Sequence, residues 1–144
     1  MSTKNKILLT ILAFALPALP LGRVIWPPSP NLPMPTSGDL PFFIFLAVVE
    51  SLAFGIGIAF AFFGYSYVRR ITAPYTVRAL LAYLCIVWQL VSWWPHDNLH
   101  MHIGTDAHRL LYIEYGFHIT LIISSIILAY VFVAVVREKL SSFV

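Results

Sequence analysis

The sequence predicts an all-α integral membrane protein, a four-transmembrane-helix bundle with N and C termini cytoplasmic. Three observations predict it. Sixty per cent of residues are hydrophobic and 10% charged, where soluble chains carry about a quarter charged residues. Mean hydropathy is +0.85. Several apolar runs are long enough to cross a bilayer core, which takes about 20 residues of helix. The 144 residues form one membrane domain, 1–144.

The first span is placed at about 7–26. Lys4 and Lys6 followed by a short apolar stretch, with Ala13-Phe14-Ala15, also fit a secretory signal that would be removed near residue 21. That small-residue pattern lies inside the apolar run with no polar segment before it, which favours retention. Pro17 and Pro20 are expected to kink or end the helix. The second span, 41–68, carries one acidic residue, Glu50. The third is placed at 75–95 and the fourth at 110–136. Two outer loops follow from these limits: a proline-rich one at 27–40, and one at 96–109 that holds four of the five histidines.

Orientation follows from the basic residues near span ends. With the N-terminus inside, Lys4, Lys6, Arg69, Arg70, Arg78, Arg137 and Lys139 are cytoplasmic, and only Arg23 and Arg109 lie outside. The histidine-rich loop is then external, in what reads as a bacterial or archaeal cytoplasmic membrane. Trp26, Trp93 and Trp94 sit at outer span ends, where indoles favour the interface. The positive charges are spread between spans and form no clustered basic face, so nucleic acid is not an expected partner. A single cysteine, Cys85, excludes an internal disulfide and any CxxC site.

The chemistry concentrates at one end. An ionisable group within a span costs about 2.5 kcal/mol or more, so it should face protein and find a partner. Glu50 lies on a stripe with Ala47, Gly57, Ala61 and Gly64, small residues that let helices approach. Gln89 is a plausible partner for it. At 1.5 Å per residue, Glu50, Gln89 and His118 fall about 8, 5 and 9 Å from mid-span towards the outside. Glu114 and His118 are four residues apart and share a helix face. Pro95 suits the first turn of a short helix, which would align His96 with His100 and turn His102 away. Imidazole and carboxylate are ligands for Cu, Zn or Fe. His96, His100, Glu114 and His118 are the candidate ligands. Glu50, Asp97 and His102 are further ligands or groups that orient them.

The string His96-x3-His100-x-His102 resembles the histidine boxes of membrane desaturases and hydroxylases over about seven residues. Those enzymes use more histidines and place them on the cytoplasmic side, so the resemblance assigns no family. Three functions fit the residues. One is a small membrane subunit with an outward-facing metal site, not an enzyme on its own, within a redox, oxygenase or transport assembly. Another is a haem b electron-transfer subunit with His96 and His118 as axial ligands. The third is a structural subunit whose polar cluster ties helices together. Expected partners are the bilayer and other membrane subunits or further copies of the chain.

Overall fold

A computed structural model describes residues 1–33, 35–72 and 75–141. Every regular element is a helix: α1 (Thr3–Ile25), α2 (Leu40–Phe63), α3 (Tyr65–Thr72), α4 (Thr76–Val91), α5 (Trp93–Ile103) and α6 (Ala107–Ser141). Four segments are long and apolar enough to cross a membrane: α1, α2, α4 continued by α5, and α6.

Local chemistry sets the limits of these elements. The Ser2 hydroxyl accepts from the Asn5 N–H and caps α1. That helix continues through Pro17 and Pro20 and does not end there. Such prolines are tolerated in spanning helices because neighbouring groups re-satisfy the backbone. The second apolar run, expected to be continuous to residue 68, divides at Gly64 into α2 and α3. The third run bends at Ser92 and continues as α5 to Ile103. Pro95 explains the break, because it offers no N–H to the Val91 carbonyl and its ring crowds that turn. Most of the segment expected to be the loop 96–109 is therefore helical, apart from the turn at 104–106. Gly104 closes α5 at φ +64°, a conformation that favours glycine, and its N–H returns to the His100 carbonyl.

The spanning segments pack as a row: α1 on α2, α2 on α4, α4 on α6. Among the described residues, α1 and α6 make no close backbone approach, so the row does not close into the expected bundle. Small residues form the seams. A Cβ on Gly55 would lie 2.6 Å from the Ile11 carbonyl oxygen, and one on Gly57 would lie 2.6 Å from Val91 Cγ2. Gln89 ties α4 to α6 by reaching the Leu121 carbonyl (3.0 Å) and the Ser124 and Ser125 hydroxyls (2.7 and 2.8 Å). The Tyr83 hydroxyl donates to the Ala61 carbonyl and ties α4 to α2. Away from the site, Val68, Ala82, Val131 and Val135 form a core that joins α3, α4 and α6.

Gly55→Ala should cost about 1–3 kcal/mol by overpacking the α1–α2 seam. Gly116, whose added Cβ would meet nothing within 4 Å, should accept alanine with no loss and a gain of up to about 1 kcal/mol. Thermal unfolding in detergent separates the two, and equal tolerance would refute the close seam.

Candidate metal centre

α5 carries the chemistry, and its position is fixed from three sides. The Trp94 indole N–H donates to the Ala18 carbonyl of α1 (3.0 Å), and the ring packs edge-on to Trp26 and against Phe54 of α2. The Asn98 amide lies directly over Gly22, where an added Cβ would come within 1.9 Å of its oxygen. Asn98 also donates to the Trp94 carbonyl (2.7 Å). The far end of α5 is held by the proline-rich segment: the Ser29 N–H donates to the Met101 carbonyl (2.9 Å), and His102 Nδ1 donates to the Pro27 carbonyl (2.7 Å). His102 is thereby directed away from the cluster.

His96 is buried, with 9% of its surface exposed. The Phe117 ring of α6 stacks on it at 3.7 Å between centroids, and Trp93 packs edge-on against both rings. Its Nδ1 is 2.8 Å from Asp97 Oδ1. The Glu50 carboxyl on α2 lies near Asp97. The partnership expected with Gln89 does not form, because Gln89 is engaged with α6.

A carboxylate at Nδ1 holds the ring proton there, which leaves the Nε2 lone pair of a neutral His96 as an acceptor. Nε2 is buried and has no hydrogen-bond partner. It faces Glu114 Oε1 at 3.9 Å. The same Glu114 oxygen hydrogen-bonds to His100 Nε2. Ligand atoms of His96, His100 and Glu114 all lie within 4.8 Å of one another. His118 stands beside this trio: its Nδ1 is 2.7 Å from Glu114 Oε2, and half of the side chain is exposed. Its ring therefore supports the carboxylate. His108 is exposed and stacks on Tyr112, away from the site.

Two imidazoles and a carboxylate are donor types that can hold a divalent ion. Metal–nitrogen and metal–oxygen bonds of about 2.0–2.2 Å put two ligand atoms up to about 4.2 Å apart across an ion; the His96–Glu114 pair at 3.9 Å falls within that limit, and the spread of the whole trio, up to 4.8 Å, would have to tighten around an ion. Three protein ligands leave coordination positions open for water or a small molecule. The two histidines considered as axial haem ligands have ring centroids 5.6 Å apart. The Glu114 side chain, bonded to one and facing the other, stands where the porphyrin would lie.

No protein-family model, curated protein or solved structure matches the chain. The site's chemistry therefore rests on its geometry alone.

Gly22→Ala should destabilise the protein by pushing Asn98 off α1, and the double variant Gly22→Ala/Asn98→Ala should recover part of the loss. Coupling between such touching residues is typically about 0.5–3 kcal/mol. Additive effects on thermal unfolding would show that Asn98 does not hold α5 against α1.

Proposed function

We propose that this chain is a small integral membrane subunit that holds a transition-metal ion at its histidine-bearing end, on the outer face of the membrane. The observation that carries the reading is the buried, unpartnered His96 Nε2 facing a carboxylate oxygen. The buried His96 Nε2 acceptor faces the oxygen of a partly exposed carboxylate, and a cation between them would satisfy both. His96, His100 and Glu114 are the ligands. Asp97 fixes the His96 tautomer as an acceptor from Nδ1, in the manner of carboxylate–histidine–metal relays. His118 and Glu50 act one step further out, on Glu114 and on Asp97.

Nitrogen and carboxylate donors suit Zn(II) or Fe(II) better than Cu(I), which prefers sulfur. A directly ligated ion is favoured over haem b by the position of Glu114. The purely structural reading leaves His96 Nε2 without a partner. Open coordination positions suit a subunit that acts within an assembly. The exposed apolar flanks at both ends of the helix row supply surface for lipid and for other membrane subunits or a second copy. The N and C termini are assigned to the cytoplasm on the distribution of basic residues.

Elemental analysis of detergent-purified protein should find stoichiometric metal. His96→Ala, His100→Ala and Glu114→Ala should each be substoichiometric, and His108→Ala should match wild type. Asp97→Asn should weaken metal affinity about 10–100-fold, the usual effect of losing a carboxylate that orients a ligand. Metal-free wild-type protein after purification and reconstitution with Zn(II) or Fe(II) would overturn the proposal. Topology is tested separately. In a Cys85→Ala background, a single cysteine at the exposed position Thr105 should react with an impermeant reagent from outside, and one at the exposed position Ile71 should not. Labelling of both from one side would refute the orientation.

A further inference from the structure

At the end remote from the histidines, α4 and α6 border a groove of about 540 Å³. Its walls are apolar, with Leu81, Ile126 and Ile127 prominent, and Tyr75, Arg78 and Tyr130 also line it. The Arg78 guanidinium lies 4.3 Å from the Tyr75 ring centroid. One of its nitrogens is 2.7 Å from Glu138 Oε1. A guanidinium has five N–H donors, so this pair leaves others for a second acceptor. From Ile126 to Glu138, α6 rises about 18 Å, close to the hydrocarbon depth of one leaflet.

The surroundings are strongly basic. Arg69 and Arg70 end α3, which packs on α4 and α6 beside the groove through Val68. Arg137 and Lys139 flank Glu138 on α6. Among the described residues, Arg69, Arg70 and Arg137 add positive charge around the Arg78–Glu138 pair. An apolar trough capped by arginine and tyrosine, at the depth of one leaflet, has the polarity of a single phospholipid.

The geometry points to an anionic phospholipid seated in this groove, its acyl chain along Leu81, Ile126 and Ile127 and its phosphate on Arg78. The inference is independent of the metal centre, because it shares no residue with it. The competing account is that Arg78 and Glu138 only clamp α4 to α6. Glu138→Gln and Arg78→Gln remove the same clamp, but only the second removes the phosphate donor.

The test is native mass spectrometry of the full chain titrated with phosphatidylglycerol or phosphatidylcholine. Wild type should bind phosphatidylglycerol about fivefold more tightly, the worth of one basic side chain beside an anionic headgroup. Arg78→Gln should abolish the preference. Glu138→Gln should keep or raise it, since the guanidinium is then released to the phosphate. Ile127→Trp should fill the trough and reduce binding of both lipids. Equal binding of the two lipids by wild type would overturn the proposal. So would an equal loss of preference in Arg78→Gln and Glu138→Gln, which is the signature of a clamp alone.

Discussion

The candidate site depends on the seating of α5 against α1 and α2. This helix mixes three histidines, Asp97 and Asn98 with Trp93, Trp94, Leu99, Met101 and Ile103. It is held by a few directional contacts: an indole N–H on a backbone carbonyl, an amide over a glycine, and a loop N–H on its last turn. In a membrane such contacts count heavily, because no water competes at depth and apolar burial contributes little to helix association. The imidazole of His96 is then clamped by aromatic rings, and its free nitrogen is aimed by the backbone. A cluster built this way has its support in the contacts of α5 with α1, α2 and α6.

The helix row follows from the same reasoning. Helices whose faces are apolar all round gain nothing in a bilayer by closing on one another. They close only where small residues or polar side chains make contact specific. Gly55 and Gly57 supply two such seams and Gln89 a third. Nothing comparable joins α1 to α6, and the row stays open. The open edges carry exposed leucine, isoleucine and phenylalanine, and lipid solvates these well.

The spans were legible in the sequence because bilayer thickness imposes a length on them. The gathering of His96, His100 and Glu114 was partly legible, since Pro95 marks a helix start and a spacing of four aligns the histidines. Other features were not. A polar, histidine-rich segment reads as a loop by composition, and the helical state of α5 is decided by the tertiary contacts of Trp94 and Asn98. Glu50 was paired with Gln89 by depth along the membrane. Depth fixes only one coordinate, and rotation about each helix axis sends the amide to α6 and the carboxyl to Asp97. His118 was read as a core ligand for its fixed place on a helix, yet its ring stands outside the trio. The signal that could have reduced its weight is the four-residue spacing to Glu114, which favours a direct contact between the two.

α6 is 35 residues long, and one continuous rod carries Glu114 near its beginning and Glu138 near its end, about 36 Å apart at helical rise. It is the longest stiff element of the fold and has a helix neighbour on one side only. A change of tilt by a few degrees about its middle moves both ends by about 1–2 Å in opposite senses. A local thinning of the bilayer is met by such tilting. Bilayer thickness would then alter the reach of the Glu114 carboxylate towards His96 and His100, making the geometry of that end responsive to the mechanical state of the surrounding lipid.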